Sequence, residues 1–227
     1  MKKTHSNYFS NNGFSLVEMA VVLVILTILM GGLLMPLGAQ RDLKNYNDAQ
    51  AGLEQIRDAL YGYAIINGKL PCPTTTANPT DNVNYGHGDV TCPFTAAAGV
   101  LPWKDLGVKE VDSWGGQRSL TTDSWAGYWV YRVDPAFATN FSLTTPASNI
   151  DIHKSDGTSL TSGAERAVAV ICTTGKDLTS NGQNASFETA APVYEDDAQS
   201  PTFDDMCIWI TRPSLFNRMV TAGKLPQ

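Results

Sequence analysis

The chain has 227 residues, of which 43% are apolar, and a formal net charge of −6. This length and apolar content suffice for one domain with a hydrophobic core and an appended segment. The acidic balance and the absence of a Lys/Arg cluster argue against nucleic-acid binding, because phosphates attract basic patches.

The first long feature in chain order is an apolar segment. From Met19 to Ala39 there is no charged residue, and about 20 such residues can span a membrane as a helix. The preceding flank carries Lys2 and Lys3 and no acid, which favours a cytoplasmic N-terminus. A secretory signal peptide has its cleavage site after the apolar region, whereas the candidate site here, after Gly13, precedes it. Cleavage after Gly13 would therefore leave the apolar helix on the mature chain.

One carboxylate, that of Glu18, lies at the start of this segment. A carboxylate near a bilayer core costs about 3 kcal/mol, so its partner must be identified. No Lys or Arg occurs between residues 4 and 40. Cleavage after Gly13 would create an α-amine at Phe14, one helical turn from Glu18 or facing the Glu18 of a neighbouring chain. Alternatively, Glu18 lies in the headgroup region, where the helix dipole favours an acid.

The sequence "GFSLVEMAVVLVIL" resembles the N-terminal signal of type IV pilins and type II secretion pseudopilins. In that family a prepilin peptidase cuts after the glycine and methylates the new amine. The resemblance implies that Gly13 is the cleavage residue and Phe14 the methylated N-terminus. It also implies that Glu18 pairs with the N-terminus of an adjacent subunit during assembly. Pro36 resembles the helix-breaking proline of the family, displaced by one position, and predicts a kink.

Beyond Arg41 the sequence predicts an amphipathic continuation of the same helix, packed on a domain. Its apolar residues recur at spacings of three and four and form one stripe: Leu43, Tyr46, Ala49, Leu53, Ile56, Leu60, Tyr63 and Ile66. Asn67 and Gly68 form a stop signal, and the prolines that follow prevent continuation. A helix from Phe14 to Asn67 would be about 80 Å long, a length that suits the helical core of a filament.

The remaining residues are predicted to form a globular head with an antiparallel β-sheet. Strands are predicted from Tyr128 to Val133, from Ala167 to Cys172 and from Met206 to Thr211, where aromatic and β-branched residues are frequent. Ser214 is predicted to cap a short final helix that ends before Gly223. The predicted fold class is α+β, a pilin-like long helix packed on a sheet. The predicted divisions are a leader at 1–13, a transmembrane and assembly helix at 14–40, its amphipathic continuation at 41–68 and a head at 69–227.

The four cysteines, Cys72, Cys92, Cys172 and Cys207, contain no C-x-x-C pair, which argues against a zinc ribbon or a thioredoxin-type site. An even number of cysteines fits disulfides in an oxidising compartment. Three connectivities exist, of which Cys72 with Cys92 and Cys172 with Cys207 is the simplest. The alternative is four buried free thiols.

The segment "YEDDAQSPTFDD" contains Asp196, Asp197, Asp204 and Asp205 shortly before the last predicted strand. Clustered hard oxygen ligands can bind calcium, and the major pseudopilins of type II secretion, which the chain resembles, carry a calcium loop in a similar late position. The EF-hand spacing is absent. Calcium is therefore one hypothesis for this segment, and a solvated acidic loop is the other. No other cofactor is predicted.

No motif for nucleophilic, metal-dependent or nucleotide-dependent catalysis occurs, so the sequence predicts a structural protein and not an enzyme. The tryptophans Trp103, Trp114, Trp125 and Trp129 are interpreted as core residues, with an exposed ligand face as the alternative.

The resemblance implies a pilin-like structural subunit of a type IV filament system. Within this class a minor pilin of a type IV pilus is favoured over a type II secretion pseudopilin, because the head is larger than a typical pseudopilin core and two disulfides suit a surface-exposed tip or shaft. A filament-tip binding module for adhesion or DNA uptake and a tethered periplasmic enzyme are two further alternatives. The expected partners are the prepilin peptidase, other pilin or pseudopilin subunits and the inner membrane, without nucleic acid. The head is expected in the periplasm before assembly, and at the cell surface or in a periplasmic pseudopilus afterwards.

Overall fold

The structure of the chain is a computed structural model that describes residues 13, 15–76, 78–81, 83–92, 99–147, 150–163, 166–186 and 193–225. Within these ranges, the side chains of residues 31–37 and 185–186 are not described. The chain divides into two units, residues 1–43 and 44–227. The first helix, α1 (Leu16–Asn67), begins in the first unit and ends in the second.

In the first unit, every residue from Leu16 to Met30 is exposed. Among the described residues, no helix is both long and apolar enough to cross a membrane, so the span predicted for residues 14–40 is not found there. The middle of that segment, residues 31–37, lies outside the described side chains. The backbone is helical at Pro36, and the kink at this proline stays a prediction.

In the second unit, α1 buries one stripe of residues, although the stripe differs from the predicted one at both ends. Ala49, Leu53, Ile56, Leu60, Tyr61 and Ala64 are buried, whereas Leu43 is 62% exposed and Ile66 is 77% exposed. A spacing of three residues turns a helix by about 300°, so the predicted steps from Leu60 to Tyr63 and Ile66 rotate away from the buried face. Ala64, four residues after Leu60, stays on that face. The predicted helix end is confirmed, since Gly68 follows Asn67 with φ +70°.

The described residues of the head form two sheets. The larger is antiparallel and contains β1 (Gly99–Val100), β2 (Val130–Val133), β4 (Ala167–Thr173) and β6 (Met206–Thr211) in the order β1-β2-β4-β6. The smaller is a parallel pair, β3 (Asp151–His153) and β5 (Val193–Glu195). A short helix, α2 (Trp103–Leu106), follows β1, and the last helix, α3 (Arg212–Thr221), follows β6. The predicted α+β class and antiparallel sheet are confirmed, whereas the parallel pair was not predicted.

Both faces of the larger sheet are covered. On one face, Trp129, Tyr131 and Ile171 belong to the same buried cluster as the stripe of α1 and the apolar residues of α3. On the other face, Val170 and Cys172 pack with Ile152 of β3 and Tyr194 of β5. Successive side chains of β2 and β4 alternate between these two clusters because a strand has a side-chain period of two. The head therefore has a helical layer on one face of the larger sheet and the smaller sheet on the other.

Two predicted strand boundaries and one predicted helix cap change. β2 begins at Val130 and not at Tyr128, which instead forms a single bridge with Val111. β4 continues by one residue, to Thr173, and β6 has the predicted bounds. The predicted cap of α3, Ser214, is wrong: Thr211 is the N-cap, and its hydroxyl accepts a hydrogen bond from the Ser214 N–H. Pro213 suits the first turn that follows, since the missing N–H there needs no partner.

The simplest predicted cysteine pairing is confirmed by two disulfides, Cys72–Cys92 and Cys172–Cys207. The second joins directly opposed positions of β4 and β6, so it links two neighbouring strands of the sheet. The first closes the loop that follows α1. The start of this loop is also fixed by the Tyr131 hydroxyl, which donates to the Pro71 carbonyl at 3.0 Å. Each disulfide is expected to stabilise the head by about 3–4 kcal/mol in the chain-entropy account.

Helix α1 approaches the sheet closely at Gly52. A Cβ atom at this position would lie 2.8 Å from Cη2 of Trp129, which is shorter than a van der Waals contact. Trp129 is 2% exposed, and its indole N–H donates to the Lys109 carbonyl at 3.1 Å. The indole therefore has little freedom to move, and the helix packs at this distance only because residue 52 has no side chain.

Gly52→Ala is expected to destabilise the head by about 1–3 kcal/mol through overpacking against Trp129. Gly62→Ala is the matched control, because a Cβ at Gly62 meets no atom within 4 Å. That control should gain up to about 1 kcal/mol from helix propensity. Chemical unfolding of the full chain in detergent, followed by tryptophan fluorescence, measures both. Equal stability of the two variants would contradict the close contact.

Candidate assembly site

The start of α1 is organised by a reciprocal pair of hydrogen bonds. The Glu18 N–H donates to the Ser15 hydroxyl at 3.2 Å, and the Ser15 N–H donates to the Glu18 carboxylate at 2.9 Å. This arrangement is a capping box, in which two otherwise unpaired donors of the first helical turn are satisfied. The Glu18 carboxylate thus has a structural partner within its own chain, at the positive end of the helix dipole.

The described geometry agrees with the interpretation of Glu18 as an acid at a helix start. Gly13, the predicted cleavage residue, is exposed. Phe14, the predicted methylated N-terminus, lies outside the described residues. The pairing of Glu18 with an amine at Phe14 therefore stays a prediction. Both Gly13 and Glu18 are reachable from outside the chain, because both are exposed.

The capping role of Ser15 was missed in the sequence, although the signal is present. Ser15-Leu16-Val17-Glu18 has the S-x-x-E spacing of a capping box followed by an apolar run.

The helix beyond the capping box presents an apolar surface. Leu16, Leu23 and Ile28 are among its exposed side chains, at 86%, 61% and 68%. The hydroxyl of Thr27, a polar residue inside this run, donates to the Val24 carbonyl at 2.8 Å. The polar group of Thr27 is thus satisfied within the helix. The exposed apolar side chains are stabilised when lipid or other apolar helices remove them from water.

The family profile of the prokaryotic N-terminal methylation motif matches residues 9–34. The chain therefore carries the signature of type IV pilins and pseudopilins, which supports a pilin-like or pseudopilin subunit. This motif implies processing by a prepilin peptidase, assembly with other pilin subunits and a membrane-associated or filament location. It defines a structural class and not an enzyme class. Neither a curated protein nor a solved structure matched the chain.

In the head, the four aspartates of the calcium hypothesis form two pairs along the sequence, Asp196–Asp197 and Asp204–Asp205, whose hydrogen bonds come from different loops. Asp197 accepts hydrogen bonds from the Ser155 N–H at 3.1 Å and from the Ser155 hydroxyl. Asp204 instead accepts from the N–H groups of Lys176 and Asp177, at 2.7 and 3.0 Å. Among the described residues, no group of three or more His, Cys, Asp or Glu side chains is arranged to hold a metal ion.

The pair Asp204 and Asp205 is the more buried of the two. Oδ2 of Asp205 accepts from the Asn181 N–H at 2.9 Å, and Asp205 is 1% exposed. Oδ1 of each aspartate is buried without a hydrogen bond among the described residues. The nearby Asn184 amide favours the ionised form of Asp205 and so acts to lower its pKa. Burial raises the pKa of Asp205 to about 7, and the charges of Asp204 and Asp177 add to this effect.

The tryptophans divide by burial. Trp103 and Trp129 are buried, as predicted, whereas Trp114 and Trp125 are half-buried. Trp125 lies edge-on to Tyr128 and carries the Arg118 guanidinium over its ring, 3.9 Å from the centroid. Sequence analysis also missed the buried contact between the Thr173 hydroxyl and Asp112, because no pattern relates residues 61 positions apart.

Asp205→Asn should change the pH dependence of stability. The pKa of Asp205 in the folded state, about 7, lies above the ordinary value for an aspartate. Between about pH 4 and pH 7 the folded chain therefore binds more protons than the unfolded chain, and this group lowers the unfolding free energy by about 1 kcal/mol for each pH unit of increase. Asp205→Asn removes this slope, whereas Asp58→Asn, at an exposed site on α1, keeps it. Denaturant unfolding at pH 5, 6 and 7 measures the slopes; identical slopes in wild type and Asp205→Asn would be inconsistent with a raised pKa.

Calcium at the acidic segment stays a prediction with a direct test. If calcium binds there, the melting temperature of the full chain rises in calcium relative to chelator, since a ligand that binds only the folded state stabilises it. Asp204→Asn and Asp197→Asn identify which pair is responsible by abolishing the increase. An unchanged melting temperature in calcium would remove the hypothesis.

Proposed function

We propose that the chain is a pilin-like structural subunit of a type IV filament system, specifically a minor pilin. The observation that carries the proposal is the methylation motif at residues 9–34, continued by the exposed apolar run from Leu16 to Met30. In this proposal the precursor is cleaved after Gly13 and methylated at Phe14. The mature subunit is held in the inner membrane by α1, with its head in the periplasm, until it enters a filament.

The physical basis of assembly is the burial of apolar helix surface. Packing of α1 against neighbouring α1 helices buries side chains that are exposed in the single chain. Such packing is non-directional, so a polar contact is needed to fix the register of the subunits. Glu18 supplies that contact in this proposal, by pairing with the methylated amine of an adjacent subunit. The capping box of Ser15 and Glu18 holds the carboxylate at the end of the helix, where the amine of a neighbour would arrive.

A pseudopilin of a type II secretion system is the second candidate, because the same motif occurs in that class. Two disulfides, Cys72–Cys92 and Cys172–Cys207, favour the pilus, since a surface-exposed head benefits from cross-links. A filament-tip binding module, as an adhesin or in DNA uptake, is the alternative of another class. The net charge of −6 argues against a DNA ligand.

Variants of Glu18 and Ser15 distinguish a registering charge from a helix cap. Glu18→Gln keeps an oxygen that can accept from the Ser15 N–H but loses the charge, whereas Ser15→Ala loses the hydroxyl cap but keeps the charge. The proposal predicts that Glu18→Gln and Glu18→Ala are both cleaved but are absent from filaments, and that Ser15→Ala is incorporated. Immunoblots of membranes and of sheared filaments, compared with periplasmic fractions, measure processing, incorporation and the type of filament.

Three outcomes would count against this assignment. Normal incorporation of Glu18→Gln would mean that Glu18 acts only as a cap. Failure of all variants to be cleaved would mean that the residues serve recognition by the peptidase. Accumulation of the assembled wild-type chain in the periplasm and not at the cell surface would favour the pseudopilin.

A further inference from the structure

The outer edge of strand β6 is open. Within the described residues, β6 pairs with β4 on one side and with no strand on the other. Its residues Met206, Cys207, Ile208 and Trp209 contain no charge and no proline, two of the features that protect edge strands in native proteins. Their pairing with β4 is regular, since the irregularity in this ladder lies at the far end, between Ala167 and Ala169. A straight row of backbone donors and acceptors therefore faces outwards.

A groove of about 560 Å³ follows this edge. It is lined by Met206–Trp209 of β6, by Tyr46, Gln50 and Leu53 of α1, and by a second wall of residues 196–199. The second wall is fixed in place, because the Gln199 amide donates to the carbonyls of Asp204 and Asp205 at 3.1 and 3.3 Å. The groove is thus built by three separate parts of the head around an unpaired strand edge.

The charge in this groove is negative. Glu54 and Arg57 form an ion pair with each other, which leaves the carboxylates of Asp196 and Asp197 as the unbalanced charges of the groove; Asp205 also lines it but is buried, and its pKa of about 7 leaves it only partly ionised at neutral pH. Hydrogen bonds from Ser155 and Ala198 lower the pKa of Asp197 to about 2, so that it is ionised at neutral pH. Asp196 has no hydrogen-bond donor or cation against its carboxylate among the described residues, and burial together with the charge of Asp197 raises its pKa.

We propose that this groove, defined by the outer edge of Met206–Trp209 between α1 and residues 196–199, binds an extended, basic segment of another protein chain. An unpaired strand edge is recognised by a second strand, which supplies the missing backbone hydrogen bonds. A Lys or Arg of that segment pairs with Asp196 at the wall, where a cation is missing. Nucleic acid is excluded by the same carboxylates. This inference does not depend on the assembly role of α1.

The half-buried residues of β6 explain how such a segment would gain affinity. Ile208 and Trp209 lie on opposite faces of the strand, since Ile208 packs with the core shared with α1 and Trp209 with the core shared with β3 and β5. An added strand would extend both faces and cover these two side chains further. Backbone pairing provides general affinity, and the acidic wall selects basic segments over acidic ones.

The test uses the full chain in detergent micelles and three synthetic peptides. The first is acetyl-Lys-Thr-Val-Thr-Val-Lys-amide, the second has Glu in place of both lysines, and the third is the lysine peptide with alternate backbone nitrogens methylated. Binding is measured by titration calorimetry. The lysine peptide is expected to bind at least about fivefold more tightly than the glutamate peptide, as for one partly exposed ion pair, and the methylated peptide is expected not to bind.

Two variants with the same change of charge localise the effect. Asp196→Asn is expected to weaken binding of the lysine peptide about fivefold, whereas Asp58→Asn, which lies on α1 outside the groove, leaves it unchanged. Equal melting temperatures of the two variants exclude a general loss of folding. The proposal is overturned if the lysine peptide does not bind at millimolar concentration, if the methylated peptide binds equally well, or if Asp196→Asn and Asp58→Asn have the same affinity.

Discussion

The head depends on the burial of one stripe of α1 against the antiparallel sheet. Leu53, Ile56 and Leu60 are fully or almost fully buried there, and Gly52 sets the distance at which the helix meets Trp129. The same helix presents apolar side chains to the outside from Leu16 to Met30. One continuous element thus serves two purposes: its second part holds the head together, and its first part offers apolar surface for burial by lipid or other helices.

The polar groups in the two parts of the chain are satisfied in different ways. In the first part, Glu18 and Ser15 satisfy each other, so the acid can be kept at the helix start without a partner from elsewhere, and it remains available to one. In the head, the carboxylates near β6 are mostly held by backbone N–H groups, with Asp196 as the exception among the described residues. Backbone hydrogen bonds thus account for most of these acids, whereas Asp196 lies beside the open edge of β6, where we propose that a basic segment binds.

Much of the fold follows from local patterns in the sequence. The end of α1 at Asn67 is marked by Gly68, and β6 has the bounds that its aromatic and β-branched residues predict. Local patterns fail where tertiary contacts decide. The buried stripe passes to Ala64 because the helical period is 3.6 residues. β2 begins at Val130, which pairs with Cys172, whereas Tyr128 pairs with Val111 instead. The parallel pair β3 and β5 joins residues about 40 positions apart, which no local pattern indicates.

The candidate site was predictable in its chemistry but not in its geometry. The methylation motif and Glu18 are visible in the sequence, and the family profile matches the same region, whereas the division of the acidic segment into two pairs depends on which loops donate to each aspartate.

The most direct test of the central claim is the mass of the N-terminal peptide of the protein isolated from its native membranes. The account predicts a peptide that begins at Phe14 with a methylated amine. A peptide that begins at Met1, or at any residue other than Phe14, would contradict it.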